Sequence, residues 1–375
     1  MNNITRSLTK QIEGSLFKGK ALVIQGPRQS GKTTLAKELL RKHGDEKNYI
    51  NCDIVKNAAA LAGQSSESLR SFLGEGKLFV IDEAQKVRNI GLSLKILVDT
   101  YPDIQIIATG SSSFSLSAQI GEPLVGRMFK YILYPFSLRE IRDNLELESH
   151  VKLEDMMIYG NYPDVVTGKA ERKREYLTAL AGNFLYKDIA GFEDIRKPEL
   201  LRNLLQLVAY QLGNEASYNE LADKLQVRRE TVMRYLYILE EAFIIFRLYP
   251  LSRNLRKEIG RKTKIYFYDL GVRNAIIDRF EPMSDRDDAG ALWENFCIVE
   301  RKKQIQENGW YRHSYFWRTQ AKKEIDYVEE YDGAMHAYEF KWGKADRPIP
   351  KGFLKGYPGS SGIIVSRSNY LEWLR

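Results

Sequence analysis

The sequence predicts an α/β protein of several parts: a parallel-sheet domain, a helical lid, a winged helix and a C-terminal α/β module. Three observations predict it. Apolar strand-like runs alternate with amphipathic helical runs over residues 1–140. A helix, a turn, a second helix and two strands succeed one another over 216–270. A hairpin with a sharp turn, EIDYVEEYDGAMHAYEFKW (324–342), lies between a helix and a further strand. A chain of 375 residues exceeds one ordinary core, and the boundaries expected are 1–140, 141–215, 216–270 and 271–375.

Composition narrows the classes. With 43% hydrophobic and 28% charged residues the chain is globular rather than disordered. No apolar run is long enough for a bilayer, and the start MNNITRSLTKQIEGSLFKGK has no apolar signal core, so a cytoplasmic location without membrane contact is expected. Two distant cysteines, Cys52 and Cys297, and four scattered histidines provide neither a disulfide framework nor a zinc site. The net charge of +8 favours an anionic partner, and residues 253–264, RNLRKEIGRKTK, concentrate six basic side chains against one glutamate.

The first strand, within KGKALVIQG, runs into Gly26-Pro27-Arg28-Gln29-Ser30-Gly31-Lys32-Thr33-Thr34, which matches G-x-x-x-x-G-K-[ST] at each fixed position. TTLAKELLRKHG then reads as a helix with Leu35, Leu39 and Leu40 on one face and Gly44 as its stop. The order has a physical reason. Gly26 and Gly31 let backbone N–H groups turn toward phosphates, and the helix N-terminus adds positive potential. All nine residues from Gly26 to Thr34 are expected to bind nucleotide. Lys32 reaches the β- and γ-phosphates, and the Thr33 hydroxyl binds Mg²⁺.

A second strand, in KLFVIDEAQKV (77–87), ends in Asp82-Glu83. The aspartate is expected to hold Mg²⁺ and the glutamate to polarise the attacking water. A third, IQIIATGSS (104–112), places Ser111 where it senses the γ-phosphate. NYINCD and RMFKYILYPFS (127–137) supply two more strands, giving a parallel sheet covered on both faces. The adjacent acids separate the chain from small-molecule kinases and GTPases, and the whole resembles the AAA-type branch of P-loop ATPases. Arg127 is expected either as an arginine finger for a neighbouring subunit's ATP or as a pin holding a loop to the sheet.

From about 138 to 215 the pattern is helical, with REYLTALAGNFLYKDIA and PELLRNLLQLVAYQLG as amphipathic segments and YGNYPDVVTG as a break. Ser217 and Glu220 then form a capping box opening a short helix. After a turn at Gln226-Val227, a second helix carries Val232, Tyr235, Leu236, Leu239 and Phe243 inward. FIIFRLYPL and KIYFYDL follow as strands joined by the basic stretch. This winged-helix pattern predicts DNA contact through Arg228, Arg229, Arg234 and residues 253–264, although Glu230, Glu240 and Glu241 on the outer face would repel a duplex. A module that only packs against its neighbours fits the same pattern.

In the hairpin, an Asp332-Gly333 turn makes paired residue numbers sum to 665, so Asp326 opposes Glu339. One face then carries Glu324, Asp326, Val328, Ala337, Glu339 and Lys341; the other, a core face, carries Ile325, Tyr327, Tyr338, Phe340 and Trp342. Two carboxylates roughly 5 Å apart repel by about 3 kcal/mol at an effective dielectric of 20. Either a divalent cation held by Asp326 and Glu339 relieves this, with Lys341 polarising a water, or Lys341 and Arg318 neutralise the acids as a charge cluster. With ALWENFCIVERKKQIQENG before it and SGIIVSR after it, the segment resembles the restriction-endonuclease-like PD-(D/E)XK fold. That resemblance implies a further acid from the helix, Glu294; the usual proline before the aspartate is replaced by Ile325.

Nearly the whole chain resembles a family of bacterial and archaeal AAA-type ATPases with a C-terminal domain of unknown function and nuclease-like fold. GPRQSGKTT, FVIDEAQ, ATGSSS, GRMFKYILYPFS, YGNYPDVV, LYKDI, IYFYDLGVRNAI, LWENF, EIDYV and YEFKW carry it. The resemblance implies ATP binding and hydrolysis with Mg²⁺, and a C-terminal half acting as effector. Three functions are open at this point: an ATPase driving that half on DNA, an ATP-gated metal-dependent nuclease with a second divalent cation, and an ATP-switched homo-oligomeric assembly protein.

Overall fold

The computed structural model describes residues 4–63, 65–110, 124–144, 153–169, 171–183, 198–251, 262–319, 321, 323–343 and 348–375. Ser111, residues 253–261 of the basic stretch and the LYKDI segment lie outside the described residues. The chain divides into two units, residues 1–145 with 241–243, and residues 146–240 with 244–375. Among the described residues no helix is long and apolar enough to cross a membrane. Cys52 and Cys297 are both free and buried.

In the first unit, β1 (Ala21–Gln25), β2 (Tyr49–Asn51), β3 (Leu78–Asp82), β4 (Gln105–Gly110) and β5 (Met128–Ile132) form one sheet in the order β2-β3-β4-β1-β5. Every pairing in it is parallel. The alternating direction of strand side chains sorts the core into two layers. Leu22, Ile24, Val80 and Ile107 meet Leu35, Leu39 and Leu40 of the helix Lys32–His43. Val23, Phe79, Ile81 and Ile106 meet Leu94 and Leu97 of the helix Ile90–Thr100. Both faces are covered, which is why β1 and β3 read as unbroken apolar runs.

In the second unit, seven strands form one mixed sheet: β6 (Glu215–Ala216), β7 (Ile245–Pro250), β8 (Thr263–Phe267), β9 (His313–Arg318), β10 (Glu324–Tyr331), β11 (Ala334–Lys341) and β12 (Ser361–Ser366). Their order is β12-β11-β10-β9-β7-β8-β6. A parallel pairing of Tyr249 with Tyr315 and Pro250 with Phe316 joins the strands after the helix-turn-helix to those of the C-terminal hairpin. The helices Tyr218–Leu225 and Arg229–Glu241 stand as expected, separated by Gln226 at φ 51°. The capping box is half made. Ser217 Oγ accepts from the Glu220 N–H at 3.4 Å, but the Glu220 carboxylate binds Lys224 Nζ at 2.8 Å, one helical turn on. Phe243 is buried but lies beyond the helix, at φ 57°.

The family motifs YGNYP and YDLGVRNAI form a tether. Asp269 caps the helix Leu270–Ile276 by accepting from Val272 N at 3.1 Å, and its other oxygen accepts from Asn161 N at 2.7 Å. Gly160, at φ 70°, lies so close that a Cβ there would stand 2.1 Å from Asp269 Oδ1.

The hairpin keeps its expected register from Tyr327↔Tyr338 to Tyr331↔Ala334, with Asp332 and Gly333 at φ 52° and 74° in the turn. Two features differ from expectation. Both faces are buried: Phe353 covers Val328 and Ala337, while Trp373 packs on Tyr338 and Phe340. The pairing of β10 with β9 also shifts register between Ile325 and Val328, and Ile325 joins the Val328 cluster instead of the Tyr327 side. A bulge of this kind reverses the alternation on one side of it.

Candidate nucleotide site and a second carboxylate centre

The loop after β1 depends on close backbone approach. Gly26 has φ 149°, and a Cβ there would stand 2.2 Å from Leu133 O. Pro27 and Ser30 are buried, Arg28 is half-buried, and Gln29 and Thr34 are exposed. Gly31 precedes the helix that starts at Lys32, so the first free N–H groups point into the loop. Lys32 is 6% exposed and donates to Gly26 O at 2.9 Å and Pro27 O at 2.7 Å. The fully buried Ser30 Oγ has no hydrogen-bond partner among the described residues.

Asp82 ends β3 and is 4% exposed. Thr33 Oγ1 donates to it, 3.1 and 2.9 Å from its two carboxylate oxygens. The Tyr49 hydroxyl donates to Oδ2 at 2.5 Å, and Thr109 Oγ1 donates to Oδ1. Burial, together with this bond to Asp82, pushes the Tyr49 phenol well above its ordinary range and keeps it a donor. Glu83 sits at φ 52°; its N–H donates to Thr109 Oγ1 at 3.3 Å and its carboxylate accepts from Gln85. Sequence reasoning placed Lys32, Thr33, Asp82 and Glu83 together but missed Tyr49 and Thr109. Each stands on a strand flanking β3, so its nearness to Asp82 is a matter of sheet order.

Arg127 lies just before β5, with Nε 2.6 Å from Asp99 Oδ1. Asp99 belongs to the helix Ile90–Thr100.

The acids of the C-terminal module gather around a lysine. Lys264 of β8 has its ammonium 2.9 Å from Glu294 Oε1, 2.6 Å from Glu324 Oε1 and 3.8 Å from Asp326 Oδ1, and its side chain is 2% exposed. Burial disfavours its charge, but Glu294, Asp326 and Glu324 more than offset this and raise its pKa. Glu294, in the helix Ala289–Glu307, also accepts from the Tyr266 hydroxyl at 2.5 Å. Burial pushes Glu294 up to about 7, against the pull of Lys264. Arg318 lies 2.8 Å from Glu215 and 3.6 Å from Glu324.

Several expectations change here. Lys264, assigned to the phosphate-contacting basic stretch, is buried among carboxylates. Asp326 and Glu339 are neighbours, since Asp326 Oδ2 accepts from Phe340 N at 2.9 Å. Among the described residues no group of three His, Cys, Asp or Glu side chains is arranged to hold a metal. Lys341 is paired with Glu339 at 2.7 Å. Burial first, then the Asp326 charge, raises the Glu339 pKa. On the helix-turn-helix, Arg228 and Arg234 are exposed and Arg229 is half-buried. Glu240, expected to repel a duplex, is neutralised by Arg247, with Oε2 2.8 Å from Nε.

Residues 18–142 match the family model of an AAA domain, so the first unit carries an AAA-type P-loop domain. Residues 150–282 and 289–374 match two domains of unknown function, DUF8612 and DUF4143. An uncharacterised protein of Mycobacterium tuberculosis is 27% identical over 341 residues, 90% of this chain and 73% of the relative. One from Haemophilus influenzae is 25% identical over 281 residues, 68% of this chain and 69% of the relative. Among solved structures, a Walker-type ATPase of Pyrococcus abyssi is similar in fold, with a TM-score of 0.52 at 16% identity, over 74% of this chain and 96% of that one.

Proposed function

We propose that this protein is a Mg²⁺-dependent ATPase whose nucleotide state drives its second unit. The contact between Thr33 and Asp82 carries the reading: a hydroxyl and a carboxylate, the donor set Mg²⁺ takes in P-loop enzymes, already converge on one point. The backbone N–H groups of residues 26–34 cradle the phosphates. Lys32 exchanges the carbonyls of Gly26 and Pro27 for phosphate oxygens. Thr33 and Asp82 would hold Mg²⁺, which when bound would supply charge stabilisation at the phosphates. Glu83 orients a water for in-line attack and takes its proton, while Thr109 holds the backbone of Glu83 and the carboxylate of Asp82 in one arrangement. The test is binding of a fluorescent ATP analogue and phosphate release by a Lys32→Ala variant, which should lose both; full turnover in that variant sinks the assignment.

A second reading, duplex DNA as the substrate of the second unit, is favoured by one observation. Arg228 and Arg234 are exposed on the helix-turn-helix while Arg247 neutralises the nearby Glu240. Fluorescence polarisation with a labelled duplex checks it: an Arg228→Ala/Arg234→Ala variant should bind more weakly and show a salt slope smaller by about two. The reading includes no strand cutting, because Lys264 lies against Glu294 and Asp326, and Lys341 pairs with Glu339.

A further inference from the structure

The second carboxylate centre has an unusual construction. Its cationic member comes from β8, and β7 and β9 lie between β8 and β10 in the sheet. The Lys264 side chain runs over the sheet face, its ammonium 5.8 Å from the centre of the Phe316 ring on β9, to reach Glu324 on β10. Above the sheet it meets Glu294, which Tyr266 also holds from β8. An ammonium and a divalent cation compete for the same oxygens. Mg²⁺ and Ca²⁺ need carboxylate oxygens at roughly 2.0–2.6 Å from their own centres. Glu294 Oε1 and Glu324 Oε1 both already face Nζ, at 2.9 and 2.6 Å.

We infer that Lys264 is the resident cation of this centre: it stands where a divalent metal would otherwise stand, and closes the centre to metal. The lysine thereby staples β8 to the helix Ala289–Glu307 and to β10, joining the segments on either side of residue 282 by charge as β7 and β9 join them by backbone pairing. Removing such a cation leaves half-buried acids facing one another, which is costlier than removing the whole group.

The experiment uses the full chain without nucleotide, carrying Asp82→Asn in every arm so that the P-loop contributes no metal binding. Mn²⁺ is the probe, followed by its electron paramagnetic resonance signal and by thermal melting. The Asp82→Asn parent should bind no Mn²⁺ and melt alike with and without it. Adding Lys264→Ala should lower the melting temperature by roughly 5–10 °C. Mn²⁺ should restore most of that loss, and a further Asp326→Asn should abolish the restoration. Should Lys264→Ala not fold, Lys264→Met combined with Glu294→Gln and Glu324→Gln removes the lysine with its acids, and recovery of parental melting supports the inference. Mn²⁺ binding by the parent that Asp326→Asn removes would overturn it. So would parental melting of Lys264→Ala without metal, a folded Lys264→Ala that Mn²⁺ leaves unchanged, or failure of both lysine variants to fold.

Discussion

Thr33 Oγ1 stands within 3.1 Å of both carboxylate oxygens of Asp82, across the gap between the start of the first P-loop helix and the end of β3. The hydroxyl can donate one proton only, so the two short distances describe a hydroxyl centred on the carboxylate. A divalent ion held here by Thr33 and Asp82 would offset the buried charge of Asp82. Thr33→Ala should therefore leave metal-free nucleotide binding close to wild type while weakening Mg²⁺ activation by about tenfold or more. Titrating Mg²⁺ at fixed ATP and following phosphate release checks this; an unchanged Mg²⁺ requirement would mean the ion sits elsewhere.

Tyr49 supplies a further hydroxyl to the same carboxylate, 2.5 Å from Oδ2, and the Lys37 ammonium lies 4.2 Å from the centre of its ring. The phenol fixes the direction in which Asp82 offers its lone pairs. Tyr49→Phe keeps the ring and its contact with Lys37 but deletes the donor. A hydrogen bond to a charged acceptor is worth about 1.5–3 kcal/mol. The expected result is a several-fold rise in the Mg²⁺ concentration for half-maximal rate, with the KM for ATP at saturating Mg²⁺ little changed.

How far the sequence discloses this arrangement follows from how local each part is. The P-loop, its helix and the Asp82-Glu83 pair are contiguous signatures, and strand alternation places Leu22 and Ile24 on one layer and Val23 on the other without knowledge of the partners. The hairpin register is equally local, because the Asp332-Gly333 turn sets it. Tyr49, Thr109 and Lys264 are different. Their partners lie 33, 27 and 30 or more residues away and meet them only through strand order. The bulge at Ile325 is hidden for the same reason, since it is a mismatch between β10 and β9 rather than a property of either strand. A run of basic residues read as surface concealed Lys264, which is buried.

Glu294 gives a pH dependence of definite sign. Burial raises its folded pKa to about 7 from the ordinary glutamate value of 4.5. The folded state thus favours the protonated acid, so its contribution is fully present below about pH 4.5 and is lost as pH rises through about 7. The difference corresponds to ~3 kcal/mol. Glu294→Gln is neutral at all these values and should flatten that part of the stability-against-pH curve, melting closest to wild type at the acid end and gaining on it toward pH 8. Chemical denaturation across pH 5–8 measures it, and parallel curves for the two proteins would refute the assignment.

Glu329 shows what an internal charge requires where its compensation is complete. It is 0% exposed, and Arg301 and Arg312 meet its two oxygens at 2.7 and 2.6 Å. The guanidinium of Arg312 lies 4.0 Å from the ring centre of Trp310 and 3.9 Å from that of Tyr331, and Arg301 lies 5.1 Å from that of Trp373. Both cations therefore remain in place by stacking when the acid is removed. Glu329→Gln keeps the shape but strands two positive charges beside each other, at an expected cost of about 3–5 kcal/mol. Arg312→Leu leaves Arg301 still paired with Glu329 and should cost less. Because the Arg301 and Arg312 contributions share one carboxylate, the double variant Glu329→Gln/Arg312→Leu should be more stable than Glu329→Gln alone, an inversion that simple additivity of two packing losses does not produce.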